Sequence, residues 1–168
     1  ACATCDGAFY RDVPVCVVGG GDSACEEAAF LTRFASKVYL IHRRDQLRAS
    51  KAMQQRVMAN PKIELVWNST IAAYSTDETG ELNGVTLKDT VTGEERPLEV
   101  KCVFMAIGHS PNSKFLGDLV DVDGAGFIIR TNGGTATKTP GLFAAGDVAG
   151  VLVPGINKYG IIEDLTGF

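Results

Sequence analysis

The first regular pattern along the chain is Val13 to Val18, Val-Pro-Val-Cys-Val-Val, a compact apolar run too short for a helix and suited to a strand covered on both faces. It runs into Gly19, Gly20 and Gly21. From Asp22 to Ser36, Ala24, Ala28, Leu31 and Ala35 recur at helical spacing, and Ser23-Ala-Cys-Glu26 matches a capping box at the helix start. Lys37 to His42 is a second β-branched and aromatic run. The unit is therefore strand, helix, strand, the crossover that builds a parallel sheet. Asp45 to Asn60 carries Leu47, Met53 and Val57 among polar residues and stops at Asn60-Pro61, which predicts a second helix. Ile63 to Trp67 supplies a third strand.

Beyond Trp67 the pattern changes to short alternating segments, Thr70 to Tyr74, Leu82 to Lys88 and Leu98 to Lys101, separated by Thr79-Gly80 and Thr92-Gly93. This predicts a β-meander. Val103 to Ile107 is wholly apolar again and should return to the parallel sheet. Gly108-His109-Ser110-Pro111-Asn112 breaks the chain, and the stretch Asp121 to Thr139 is rich in Gly and Thr around a strand at Gly126 to Ile129. That part has too few periodic apolar positions to make a core by itself. The expected division is one domain over residues 1–107 and an incomplete second one over 108–168.

Composition narrows the classes. With 168 residues, 45% hydrophobic and 21% charged, and a formal charge of −4, the chain is ordinary for a soluble globular protein and has no basic footprint for nucleic acid. No apolar run approaches the roughly eighteen residues of a membrane helix, and Ala1-Cys2-Ala3-Thr4-Cys5 is no secretory signal, so an intracellular protein is expected, without membrane contact. The chain opens without Met inside a motif, which suggests a fragment. Five cysteines, an odd number with one close pair, do not make a secreted disulfide framework. Cys16, Cys25 and Cys102 read as small buried hydrophobes.

Two sites of chemistry stand out. Gly19-Gly20-Gly21-Asp22-Ser23-Ala24 is a G-x-G-x-x-A pattern between a predicted strand and a predicted helix. Gly19 allows the tight turn, Gly21 removes a side chain that would block a pyrophosphate, and Ala24 lets the helix lie close to the sheet. Asp22 and Ser23 fall at the helix N-terminus, whose free N–H groups favour anions. At the end of the second strand, where an NAD-binding unit places a carboxylate, stand His42, Arg43 and Arg44, with Arg48 one helical turn on. Guanidinium groups bind a 2′-phosphate that a carboxylate would repel, so the reading is NADP(H) over NAD(H). A plain glycine turn and a solvated basic helix start are the bland alternatives.

The second site is Cys2-Ala3-Thr4-Cys5. Thiols at this spacing can close a disulfide, and one of them commonly has a depressed pKa and attacks other disulfides. Asp6 follows as a candidate proton carrier, or as an ordinary turn residue before Gly7. A zinc site would need a second such pair, which the sequence lacks, so no metal is expected.

Together these motifs make the sequence resemble the low-molecular-weight thioredoxin reductases, including the plastid type with a fused thioredoxin module. The resemblance runs from Ala1 to about Val148. It rests on Cys2-Ala-Thr-Cys5-Asp6-Gly7, on Gly19 to Ala24 followed by Glu26-Glu27-Ala28, on His42-Arg-Arg-Asp-Gln-Leu-Arg-Ala49, on Gly108-His-Ser-Pro-Asn112 and on Ala144-Ala-Gly-Asp-Val148. It implies an α/β, Rossmann-like NADPH-binding domain with a parallel sheet, crossover helices and a meander, followed by part of an FAD-binding domain. Electrons would pass from NADPH through FAD to the Cys2–Cys5 disulfide and on to thioredoxin. Cys5 would face the flavin, Cys2 would attack thioredoxin, and Asp6 would supply the proton. Gly146, Asp147 and Val148 would contact FAD, and Ile107 and Gly108 would lie near the nicotinamide. Hinges near Ala1 and Gly108 would let the domains rotate, and the full-length protein would be a homodimer, cytoplasmic or plastid.

The chain departs from the family in two places. The family's first FAD glycine motif is absent upstream, and Gly150-Val-Leu-Val-Pro-Gly-Ile-Asn-Lys-Tyr does not show the Arg-Gln-Ala stretch that closes the flavin site. Both concern FAD. The alternative expectation is a folded, non-catalytic NADPH-binding fragment, and a third is a zinc-stabilised module built on Cys2 and Cys5.

Overall fold

A computed structural model of the chain describes residues 2–108, 110–131 and 134–149. The chain divides into two compact units, Ala1–Gly108 and His109–Phe168. The divergent tail from Gly150 onward, His109 of the Gly108–Asn112 motif and the hinge expected at Ala1 lie outside the described residues.

In the first unit, the run at Val13 forms β1 (Pro14–Gly19), the next α2 (Asp22–Leu31), then β2 (Lys37–Ile41), α3 (Lys51–Met58) and β3 (Ile63–Val66). A single helical turn, α1 (Ala3–Asp6), precedes them. Three strands follow, β4 (Ser69–Thr76), β5 (Leu82–Asp89) and β6 (Glu95–Leu98), and then β7 (Val103–Ala106). β1, β2, β3 and β7 make one sheet in the order β3-β2-β1-β7, and each pairing is parallel, as the apolar runs predict. β4, β5 and β6 make an antiparallel sheet in chain order, the expected meander.

The strands of the parallel sheet are apolar on both faces because both are covered. Val15 and Val17 point to one side, where they pack with Ala24, Ala28 and Leu31 of α2 and with Phe104 of β7. Cys16 and Ile41 point to the other and pack with Val85 and Leu87 of β5. Period-two alternation within an all-apolar strand thus fills two cores, one per face. Full burial of Phe104 and Leu31 contributes about 1.5–3 kcal/mol each.

Element limits differ from the periodicity in instructive ways. The helix expected to reach Ser36 ends at Leu31: Phe34 N–H and Ala35 N–H both donate to Leu31 O, Ser36 N–H donates to Val13 O, and Lys62 Nζ meets the carbonyl oxygens of Thr32 (2.9 Å) and Ala35 (3.0 Å) left without helical partners. Ser23-Ala-Cys-Glu26 does not act as a capping box; Gly21 is the N-cap, no side chain caps this end, and Ser23 lies inside the helix. The second helix begins at Lys51 rather than Asp45. Its expected first turn is held elsewhere, with Arg48 N–H and Ala49 N–H both donating to Gly20 O. The third meander strand is Glu95–Leu98 rather than Leu98 to Lys101, since Leu98 pairs with Val85 and Lys101 N–H has already moved to Pro14 O. Asn68, at φ +48, turns the chain from β3 into β4, a conformation asparagine tolerates better than most residues.

The second unit is small. Val120, Ile128, Ala144 and Ala149 form its buried cluster. The strand expected at Gly126 to Ile129 reduces to one bridge between Val122 and Ile128. Asp123 explains this: its carboxylate accepts from Ala125 N–H and Phe127 N–H and folds the segment into a turn. Among the described residues no helix is long and apolar enough to cross a membrane.

Candidate functional site

The glycine turn joins β1 to α2. A Cβ on Gly19 would run into the Ala106 carbonyl oxygen and stand 2.7 Å from Ala24 Cβ, so Gly19 and Ala24 together bring the helix, β1 and β7 close. A Cβ on Gly21 would meet nothing within 4 Å. Its missing side chain therefore does not serve packing, and the open space it leaves lies at the N-terminus of α2, where first-turn N–H groups have no intrahelical acceptor. Asp22 opens the helix, and its Oδ1 accepts from Ser50 N–H (2.8 Å) and Ser50 Oγ (2.9 Å). Ser23 is exposed beside it.

The segment after β2 is fixed from several sides. His42 N–H donates to Val66 O, and its own carbonyl accepts from Ser69 N–H. Arg43 O accepts from Thr90 Oγ1 at 3.1 Å and Arg44 O from Asn68 N–H at 3.2 Å, so the β5–β6 turn braces Arg43 and the β3–β4 turn braces Arg44. His42 is buried, whereas Arg43, Arg44 and Arg48 are exposed. A cleft of ≈ 440 Å³ opens beside the glycine turn and is lined by Gly19, Gly20, His42, Arg43, Arg48, Tyr74 and Ile107 among others. It brings together five of the predicted residues; Gly21, Asp22, Ser23, Ala24, Arg44 and Gly108 do not line it. Burial holds the His42 imidazole below its usual range, and the nearby Arg48 and Arg43 charges act in the same direction. Its Nε2 is buried and has no hydrogen-bond partner.

These features fit a phosphorylated dinucleotide. The open side of Gly21 fits a pyrophosphate and the exposed arginines fit a monoester, while the buried His42 ring backs the glycine turn.

The thiols sit on α1. Cys2 and Cys5 are exposed and unbridged, and Ala3 between them is buried against the helical layer, which anchors the turn. Asp6 folds back onto it, its Oδ2 accepting from Cys2 N–H at 2.9 Å and its own N–H donating to Cys2 O at 2.8 Å. The Cys5 backbone N–H and then the Cys5 thiol hydrogen-bond to the Cys2 sulfur and hold Cys2 below the usual thiol range. The same thiol bond, with the charge on Cys2, pushes Cys5 up. The pair is asymmetric: Cys2 becomes a thiolate first. Asp6 opposes ionisation of both.

Cys16, Cys25 and Cys102 are buried, as expected of core positions. Desolvation pushes Cys16 up to about 12 and Cys25 to about 11. In the second unit Gly146, at φ +75, starts a short turn over Asp147–Ala149, and Val148 O accepts from Ile128 N–H. For a flavin this donor set offers a glycine turn and one carboxylate. Gly108 has φ +89.

Sequence reasoning passed over Gly20, whose Cβ would collide with the His42 ring, and the bonds from Asp22 to Ser50. Gly20 was visible only as the middle of three glycines. The Asp22–Ser50 contact spans 28 residues and has no local signal.

Residues 1–164 match the sequence model of the pyridine nucleotide-disulphide oxidoreductases. The chain is 53% identical over 151 residues to thioredoxin reductase 1, mitochondrial, of Arabidopsis thaliana, covering 88% of this chain and 40% of that protein. It is 51% identical over 150 residues to the thioredoxin reductase of Schizosaccharomyces pombe, covering 88% and 46%. Its fold is similar to the crystal structure of Lactococcus lactis thioredoxin reductase in the FR conformation, with a TM-score of 0.75, 41% identity and coverage of 89% and 49%. Thioredoxin reductase from Giardia duodenalis gives a TM-score of 0.73 at 40% identity, covering 88% and 48%. The chain thus spans less than half the length of each of these relatives.

Proposed function

Because the chain belongs to the pyridine nucleotide-disulphide oxidoreductase family, we propose that it carries the NADPH-binding and dithiol parts of a thioredoxin-disulphide reductase. Residues 1–107 form the NADPH-binding domain, and 108–168 contribute to a flavin-binding domain. The observation that carries this reading is the exposed Cys2–Cys5 pair, in which the Cys5 thiol hydrogen-bonds to Cys2, in the same unit as a glycine turn edged by arginines.

Gly19, Gly21, Ser23 and Ala24 would admit the pyrophosphate to the helix N-terminus. Arg43 and Arg48, on the cleft wall, would hold the 2′-phosphate, with Arg44 adding charge from outside, and Ile107 and Gly108 would border the nicotinamide. Gly146, Asp147 and Val148 are the candidate contacts for FAD, which when bound supplies the electron relay between nicotinamide and thiols.

The chemistry of the thiols can be followed by itself. Cys2 thiolate attacks one sulfur of the thioredoxin disulfide; a bond forms between them, the thioredoxin S–S bond breaks, and the released thiolate takes up a proton. Cys5 then loses its proton and attacks Cys2 Sγ, which closes the Cys2–Cys5 disulfide and frees reduced thioredoxin. Asp6, held at the base of the turn, would take and return that proton. A reducing compartment, cytoplasmic or plastid, suits an exposed dithiol. The homodimer of the full-length protein belongs to the same proposal on family grounds.

The test needs no flavin. Chain reduced and freed of reductant should reduce one equivalent of oxidised thioredoxin, Cys5→Ser should trap a mixed disulfide, and Cys2→Ser should do neither. Turnover by Cys2→Ser at the wild-type rate would end the proposal.

A further inference from the structure

We infer that Asp22 is a positioning residue whose carboxylate, tied to Ser50, clamps the arginine segment onto the glycine turn and so sets the preference for a 2′-phosphorylated nucleotide. The inference rests on the NADPH reading of Arg43 and Arg48.

A carboxylate at the first position of α2 is favourable to the helix itself, since it faces the positive end of the macrodipole. It is unfavourable to a pyrophosphate arriving at that end, because the charges have the same sign. A direct contact between Asp22 and the nucleotide phosphates is therefore the poorer explanation of the residue. The structure supplies another: Asp22 Oδ1 accepts both Ser50 N–H at 2.8 Å and Ser50 Oγ at 2.9 Å.

Next to this contact, Arg48 N–H and Ala49 N–H donate to Gly20 O at 2.7 and 3.1 Å. Residues 48–50 are thus joined to residues 20–22 by two bonds on Gly20 O and two on Asp22 Oδ1. Ser50 is the N-cap of α3 and its hydroxyl caps nothing in that helix, being committed to Asp22. Asp22 therefore pins Ser50, which opens α3, beside the Gly20 carbonyl that holds Arg48 N–H.

A guanidinium recognises a phosphate best when it is already in place; an unclamped segment must be ordered at the moment of binding, and that cost appears as lost affinity. Only a nucleotide that uses Arg48 bears the cost. NADH, which has no 2′-phosphate, does not.

Titration calorimetry of the full 168-residue chain with NADPH and with NADH tests this. Asp22→Ala should lower the NADPH-to-NADH affinity ratio by about 3- to 10-fold, the loss of one or two modest hydrogen bonds, since relief of the repulsion at the pyrophosphate acts on both nucleotides alike. Asp22→Asn, which keeps an Oδ1 acceptor, should restore most of the ratio, and Asp22→Ala should add little in an Arg48→Ala background. Ser50→Ala, the milder change, should show a smaller loss of the same kind, and amide exchange at Ser50 should speed up in Asp22→Ala. An NADPH-to-NADH ratio left unchanged or raised by Asp22→Ala overturns the inference. If Arg48→Ala lowers the NADPH-to-NADH ratio and Asp22→Ala does not, the positioning role alone fails. If Arg48→Ala leaves the ratio untouched, the nucleotide reading fails with it.

Discussion

The His42 imidazole lies directly over the backbone of Gly20: a Cβ built on that glycine would stand 2.8 Å from Nε2 and closer still to Nδ1 and Cε1. The ring and the glycine turn therefore form one packed surface, with Arg48 N–H bonded to the Gly20 carbonyl beside it.

Gly20→Ala should accordingly displace the ring. Overpacking of this kind costs about 1–3 kcal/mol, read as a lower urea midpoint at constant m-value. The loss should shrink in a His42→Ala background, where the methyl group has room. An equal loss in both backgrounds would show that the contact is not its source.

His42 also gives the fold a pH dependence. Burial, as the largest cause, holds its folded pKa below the unfolded value of about 6.5, so the unfolded chain takes up the proton first. The stability that depends on neutral His42 is complete above pH 6.5 and is lost as pH falls from there through the folded pKa. Urea unfolding at pH 7.5, 6 and 5 should show a shallower decline for His42→Gln than for the wild type. Parallel declines would assign the acid sensitivity to other groups.

For the arginines, calorimetry should find NADPH weakened by roughly 10- to 150-fold in Arg43→Ala and Arg48→Ala, one charge-assisted hydrogen bond of about 1.5–3 kcal/mol, with NADH little changed. Arg44→Ala should have a smaller effect, since Arg44 is exposed away from the cleft wall. Equal affinity of the wild-type chain for the two coenzymes would contradict the assignment.

Thiol labelling separates the cysteines. In the folded, reduced chain Cys2 should alkylate first and at the lower pH, Cys5 more slowly, and Cys16, Cys25 and Cys102 only after unfolding. Cys5→Ala removes the thiol donor to Cys2 and should move the Cys2 rate profile to higher pH. Peptide mass mapping after a brief iodoacetamide pulse reads both; rapid labelling of all five in the folded state would refute the core placement of the three.

The sequence by itself determined what repeats locally or is carried by residue type. Apolar runs of strand length alternating with helical spacing dictated the parallel sheet, and Gly19, Gly21 and Ala24 at that junction dictated a close strand-to-helix turn. Cys2 and Cys5 at a spacing of three dictated a possible disulfide. Tertiary structure alone decided what depends on partners far along the chain. Ser36 N–H turns to Val13 O and Lys62 meets the carbonyls that follow α2, Asp22 holds Ser50 at the start of α3, and Gly20 is required by a ring 22 positions later. The physical reason is one of competition: periodicity records which side chains seek burial, but a backbone N–H or C=O near a helix end takes the best acceptor or donor within reach, and that is known only once the chain has folded around it.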